Sequence, residues 1–516
     1  MHTSPNEAEP SSGGLRATEA RGFGSASLWT VVGTVIPGVG LLRAGRRLAG
    51  GIVLGIVAVG VIGLGIFGLI NRDRVAQYAL DPGVLRGLAA ALVAIAVLWV
   101  VVIATTHLAL RSSPASPAQR LMGAALVGVL SFAVSAPLAL LANYAYTTGT
   151  AISTIFDGND GDTSTPAPAD TDPWATTDRL NILILGGDSG VKSNRSKAVG
   201  ARTDTIIVAS IDTHTGATTL ITVPRNAEKM PFPPGSPLLD YYPNGFSAPA
   251  GADLYTRSQY LANAMYRDIP AQVPNNILGK TKDFGASVLM QSVGYAVGLD
   301  IDYYVLVNMD GFKAFINAIG GITVNVNYAV PIGGHNASPP EPEEKPAGWI
   351  EPGPNQHLTG SRALWYARGR YHLDDYSRME RQRCLVYAVA QQTTPTAVLT
   401  NYESILKTGE NNISTNIPRT MLPALAQLGM TVKNAKIRSL VLDPSTGFLS
   451  YKPDWNWVRS KVRKALNETK AAVNSPSPSA TASGSASPSP NTKPAKSDEL
   501  AAACSYHPDD YTPTKR

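Results

Sequence analysis

Residues 201–226 read ARTDTIIVASIDTHTGATTLITVPRN. Two runs rich in Ile, Val and Thr, DTIIVASID (204–212) and ATTLITVPR (217–225), meet at the Gly-containing turn THTGA. Short β-branched runs joined in this way predict an antiparallel hairpin. The hairpin brings the start of its first strand level with the end of its second. Upstream, LNILILGG (180–187) predicts another buried strand. Downstream, YYVLVNMD (303–310) and ITVNVN (322–327) read as strands around GFKAFINAIGG (311–321), a helix closed by Gly. SRALWYAR (361–368) has helical spacing, and ERQRCLVYAVAQQ (380–392) puts Leu385, Val386 and Val389 on an apolar face. KIRSLVL (436–442) reads as a late strand and WNWVRSKVRKAL (455–466) as an amphipathic helix. The expected fold class is α/β, a mixed sheet covered by helices.

This domain sits behind an apolar N-terminal region. Three runs, 50–70, 84–110 and 121–146, carry no charge in their cores. Each reaches the roughly 20 residues that a bilayer span requires. The shorter LWTVVGTVIPGVGLL (28–42) is broken by Gly and Pro and is expected not to span. No cleavable signal peptide is evident. Arg43, Arg46 and Arg47 precede the first span, and Arg111 and Arg120 separate the second from the third. Basic loops stay inside, so the large domain is expected outside, although Arg72 and Arg74 weaken the contrast. The expected organisation is a cytoplasmic tail (1–27), a transmembrane region (28–147), a flexible linker (148–175), a globular domain (176–470) and a Ser/Pro-rich tail (471–516).

The chain has 516 residues and a formal net charge of +6. Its basic residues form no run, so nucleic acid is not an expected partner. Cys384 and Cys504 are the two cysteines. Neither belongs to a CxxC pair. A disulfide between them is permitted outside the membrane, but the sequence does not show the geometry, and the reading leans against it.

Asp188 ends one predicted strand and Asp204 begins the next. If the strands pair, both carboxylates lie at one sheet edge, where they repel unless a cation or proton separates them. Magnesium takes one or two carboxylates and completes its shell with water and phosphate. A turn residue and a strand-end cap explain the same two aspartates. Arg202 and Arg225 share the edge, and a guanidinium matches phosphate oxygens bidentately. Taken singly, each arginine is better explained by a surface ion pair; their convergence with two aspartates on one edge is what points to a site.

A second concentration of charge is ALWYARGRYHLDDYSRMERQRC (363–384), with five arginines and an Asp pair. Arg368 and Arg370 flank a glycine. Asp375 is expected to cap the following helix. Arg378, Arg381 and Gln382, at i, i+3 and i+4, are expected on one face. A solvated face, with Glu380 pairing to an arginine, is the alternative.

The ordered set LNILILGGDSG, ARTDTIIVASID, TLITVPRN, DYYVLVNMDGFKAFINAIGGITVNV and ALWYARGRYHLDDYSRMERQR resembles the LytR–CpsA–Psr family of cell-wall assembly proteins. The resemblance covers most of 178–395. It implies a membrane-anchored phosphotransferase with its domain extracytoplasmic. Such an enzyme moves a glycopolymer from a polyprenyl-diphosphate carrier to peptidoglycan through a phosphodiester link. It implies that Asp188 and Asp204 hold magnesium, or manganese in its place, and that Arg202 and Arg370 join them in catalysis. Arg225, Arg368, Arg378, Arg381 and Gln382 would bind the diphosphate substrate, and Asp375 would orient the arginines. The lipid would lie in an apolar pocket between sheet and helices. A general base is not evident; Asp188 is the candidate. Two further readings stay open: a hydrolase that uses water at the same site, and a non-catalytic sensor or scaffold for lipid-linked precursors. The sequence departs from the family at PRN, where Asn226 replaces an aspartate, which is expected to weaken the anchoring of Arg225. The Pro-rich 228–255 segment is expected to form a lid or partner loop.

Overall fold

The computed structural model describes residues 23–70, 78, 81–111, 115–156, 174, 177–188, 202–337, 342–393, 412–474 and 500–510. The chain divides into two compact units, with the main boundary at Tyr146 and Thr147. In the first, α1 (Phe23–Val35) and α2 (Val39–Arg43) precede α3 (Arg47–Ile70), α4 (Pro82–Leu110) and α5 (Pro117–Phe156). Three helical stretches, Arg47–Ile70, Pro82–Leu110 and Pro117–Thr150, are long and apolar enough to cross a membrane. The 13 residues of α1 rise only about 20 Å, short of the roughly 30 Å apolar core of a bilayer. Helix α1 instead packs on α4, where Trp99 Nε1 donates to Thr34 O at 3.0 Å. Helix α5 continues to Phe156, so the first part of the 148–175 segment is helical rather than a flexible linker.

The second unit is built on a six-stranded sheet in the order β10-β3-β2-β1-β4-β9. Its strands are β1 (Arg179–Gly187), β2 (Thr203–Asp212), β3 (Thr218–Thr222), β4 (Tyr303–Asn308), β9 (Ile413–Thr415) and β10 (Ile437–Val441). The predicted hairpin forms: β2 pairs antiparallel with β3, Ile211 opposite Thr218 and Ile207 opposite Thr222. β1 is antiparallel to β2 and parallel to β4, so the sheet is mixed.

Both faces are covered, which explains strands that are apolar at nearly every position. Leu183, Leu185, Ile206, Val208 and Ile221 face one core with α8 (Phe284–Val297) and α13 (Trp455–Asn474). The alternate residues Ile207, Ala209 and Leu220 face a second core. Val386 and Tyr387 of α11 (Asp375–Gln392) and Leu500 of α14 (Leu500–Ala503) complete it.

Helix α11 also packs on a smaller layer. Here β5 (Ile322–Val326) pairs with β8 (Gly353–Leu358), and β6 (Val330–Ile332) with β7 (Gly348–Ile350). Helices α9 (Met309–Ala318) and α10 (Gly360–Arg368) close the layer. Their crossing is so close that a Cβ on Gly360 would lie 2.1 Å from Lys313 O.

Three further expectations are corrected. The 228–255 segment is not a free lid, because Met230, Phe232, Leu238, Tyr242 and Phe246 are buried in the main core. The 471–516 tail is not wholly separate. Helix α13 runs to Asn474, and after residues outside the described set Leu500 returns to the core, 1 % exposed. Third, Cys384 and Cys504 form a disulfide, with Cα atoms 5.5 Å apart. Asn325 Nδ2 donates to Cys504 O at 2.9 Å, and His507 N donates to Asn327 Oδ1 at 2.8 Å, so the returning segment is held beside the bridge.

Candidate active site

The site begins with an irregularity between β1 and β2. Their register shifts between Gly186 and Gly187. A Cβ on Gly186 would meet Thr205 Cβ at 2.9 Å, so the strands approach more closely there than a side chain allows. Beyond the shift, Asp188 N donates to Arg202 O at 3.0 Å and Arg202 N donates to Asp188 Oδ1 at 2.7 Å. Asp188 and Asp204 thereby reach the same sheet edge, as the strand pairing predicts.

Arg225 arrives at this edge from the other arm of the hairpin. Its Nη1 donates to Asp204 Oδ1 at 2.8 Å, and its Nε lies 3.2 Å from Asp375 Oδ1. Arg378 Nη2 donates to Asp375 Oδ2 at 3.0 Å, and its Nη1 is 3.9 Å from Asp204 Oδ2. Arg370 Nη1 approaches Asp375 Oδ1 at 3.7 Å. Three guanidiniums therefore surround two carboxylates. Arg378 is nearly inaccessible, its side chain 3 % exposed, whereas Arg370 is 49 % exposed and stands at the mouth.

Local structure explains this convergence. Asp374, not Asp375 as expected, caps α11: its side chain accepts from Ser377 N at 2.7 Å. Asp375 is thereby the first helical residue and turns its carboxylate to the arginines. The turn before it is tight, with His372 in the left-handed region at φ 54°. Asn336 Oδ1 accepts from His372 N at 3.0 Å and fixes that turn, which carries Arg370.

The charges tune one another. Desolvation works to raise the Asp204 pKa, but Arg225 and Arg378 outweigh it and hold the carboxyl below its usual range. For Arg225, desolvation is overcome by Asp204 and Asp375, and its pKa rises. Desolvation, then repulsion from Arg225, lower Arg370 and bring Arg378 down to about 10. Both remain cationic at neutral pH, and a further anion would relieve their mutual repulsion.

Other predicted residues have different surroundings. Arg202 Nη2 donates to Gln259 Oε1 at 3.1 Å, and Arg267 donates to the same oxygen at 3.4 Å. Arg368 lies over the Trp365 ring at 5.0 Å and donates to Met309 Sδ, while its charge contributes to the lowered pKa of Arg370. Arg381 and Gln382 lie on the expected face of the helix but meet other neighbours than Arg378 does. Arg381 donates to Ser377 O and Gly369 O and packs on Tyr328, while Gln382 Nε2 donates to Ala367 O at 3.3 Å. Their contacts brace the backbone at the end of α10 instead of joining the carboxylates. Asn226 is exposed, and Arg225 is held by Asp204 and Asp375, so its anchoring does not depend on residue 226.

Asn263 and Arg267 were not legible beforehand. Asn263 Nδ2 donates to Asp204 Oδ1 at 3.2 Å and its backbone N donates to Arg225 O at 3.0 Å. Both residues stand in or beside α7 (Met265–Gln272), in a stretch without a charge pattern.

The donor set fits a magnesium ion. Among the described residues no group of three or more His, Cys, Asp or Glu gathers, so an all-protein cage is not on offer. Asp188 uses Oδ1 for the Arg202 amide, and Asp204 uses Oδ1 for Arg225 and Asn263. Each retains lone pairs, and two carboxylates with water and phosphate oxygens satisfy magnesium.

A family model described as the LytR_cpsA_psr family matches residues 143–229 and 258–471. A relative named polyisoprenyl-teichoic acid–peptidoglycan teichoic acid transferase TagU, from Enterococcus faecalis, is 28 % identical over 241 residues. That match covers 46 % of this chain and 61 % of the relative. Biofilm regulatory protein A of Streptococcus mutans is 27 % identical over 240 residues, 46 % of this chain and 50 % of that protein. The chain thus spans about half to three-fifths of these curated relatives. The crystal structure of B. subtilis TagV aligns with 25 % identity over 56 % of this chain and 96 % of that one, TM-score 0.36.

Proposed function

The chain belongs to the LytR_cpsA_psr family, and from that premise we propose that it transfers a glycopolymer from a polyprenyl-diphosphate carrier to peptidoglycan. The observation that carries the reading is the charge balance at the sheet edge. Among the described residues, Arg225, Arg370 and Arg378 form their ion pairs with Asp204 and Asp375, and the most exposed of the three stands at the mouth. Such a site favours a multiply charged anion, and a diphosphate supplies oxygens to several guanidiniums at once. Named relatives act, by their names, on polyisoprenyl-linked teichoic acid and peptidoglycan, which supports a lipid-linked donor here.

In the proposed reaction an acceptor sugar hydroxyl attacks the phosphorus that bears the glycan. A new O–P bond forms, the bond to the bridging diphosphate oxygen breaks, polyprenyl phosphate leaves and the hydroxyl proton passes to solvent. Phosphoryl transfer of this kind depends on positioning and charge stabilisation. Arg370 and Arg225 would hold the non-bridging oxygens, and Asp375 would keep Arg225 and Arg378 aimed. Magnesium held by Asp188 and Asp204 would neutralise charge that develops on the phosphates.

The proposed setting is a multi-pass membrane protein with this domain extracytoplasmic. The Cys384–Cys504 disulfide supports that side of the membrane, because such bonds persist in oxidising compartments. The test uses the full chain in nanodiscs with a polyprenyl-diphosphate glycan and peptidoglycan. Arg370→Ala and Asp204→Ala are expected to lower kcat/KM at least 100-fold. Wild-type rates in either variant would remove the assigned site.

A further inference from the structure

We infer that the groove next to the arginine cluster receives the acceptor, a polysaccharide strand of amino sugars. The inference rests on the transfer reading above and names the second substrate's place. The groove has a volume of about 320 Å³ and is lined by Asn226, Glu228, Leu254, Arg257, Tyr376 and Tyr451, among others. Two of these residues directly follow members of the cluster: Asn226 follows Arg225, and Tyr376 follows Asp375. The chain itself thus ties the groove to the place where a phosphorus would be held, which is what a nucleophilic hydroxyl requires.

The lining suits a sugar. Pyranose rings present apolar C–H faces that pack on aromatic and aliphatic side chains, and equatorial hydroxyls that need donors and acceptors. Tyr451 is 59 % exposed, Leu254 80 % and Leu449 38 %, so apolar surface is available along the groove. Beside it, Arg257 Nη2 donates to Glu228 Oε1 at 2.7 Å, which places a charged donor and a charged acceptor together. A lipid surface would desolvate the Arg257–Glu228 pair, so the polar wall favours the polysaccharide.

Two readouts on the full chain test the assignment: binding of N-acetylated chitotetraose by titration calorimetry without donor, and transfer kinetics with peptidoglycan fragments. Tyr451→Ala and Leu449→Ser, both at exposed positions, are expected to weaken chitotetraose binding and raise acceptor KM at least fivefold, with donor KM shifted less than twofold. Arg370→Ala is expected to do the reverse. Unchanged binding and unchanged acceptor KM in both groove variants overturn the assignment. If the wild type transfers nothing, the functional reading fails, and chitotetraose binding alone then decides the groove. Melting temperature, followed for each variant, separates a lost site from a lost fold. Should Tyr451→Ala unfold, Tyr451→Gln replaces it and carries the same expectation.

Discussion

Asp375 touches more of the cluster than any other single side chain. It contacts Arg225, Arg370 and Arg378, and its removal leaves Asp204 as the remaining ion-pair partner of Arg225 and Arg378 among the described residues. Breaking a buried charge pair from one side is destabilising by about 3 kcal/mol. Asp375→Ala is therefore expected to lower stability by about that much in urea denaturation, and to weaken donor binding because Arg225 loses its second restraint. Asp204 gives a pH signature. Its folded pKa lies below the ordinary carboxyl value. The stabilisation is thus fully present above the unfolded pKa, near 4, and is lost as pH falls through the lower folded value. Stability curves of the wild type and Asp204→Asn are expected to converge below about pH 4 and to separate above it. A constant difference across that range would show that Asp204 is not the stabilised carboxylate.

At the scale of elements, α10, its turn and α11 present Arg370, Asp375 and Arg378, and each joint has its own device. Asp374 caps α11, so Asp374→Ala is expected to cost about 1 kcal/mol, measured by thermal melting. Gly360 admits α9 against α10, and Gly360→Ala is expected to destabilise by about 1–3 kcal/mol because Lys313 O blocks the new methyl. The hairpin and the convergence of Asp204 with Arg225 were legible because strand pairing fixes registers from pattern alone. Arg381 and Gln382 were misplaced for a physical reason. Positions i+3 and i+4 lie about 60° and 40° to opposite sides of i, so a shared face does not guarantee a shared neighbour. Arg378 points to the carboxylates while the other two point to the end of α10. Asn263 was invisible because only tertiary packing brings it to Asp204.

For the whole molecule, the returning C-terminal segment was the least legible feature. A Ser/Pro-rich stretch signals a tail, and the burial of Leu500 against Ile207 and Leu220 arises only once the sheet exists. The disulfide closes a loop across a sequence separation of 120 residues. Its removal in Cys384→Ser/Cys504→Ser is expected to reduce stability by about 2–4 kcal/mol and to loosen α11, which carries Asp375 and Arg378. Thermal melting with and without reductant checks this, and identical curves would show that the bridge contributes nothing. The central claim concerns the bond that is made. Phosphorus NMR of the full chain in nanodiscs, with polyprenyl-diphosphate glycan and peptidoglycan, follows that bond directly. The account predicts a phosphodiester resonance on the acceptor that grows in step with released polyprenyl phosphate. Release of glycan phosphomonoester in its place would contradict it.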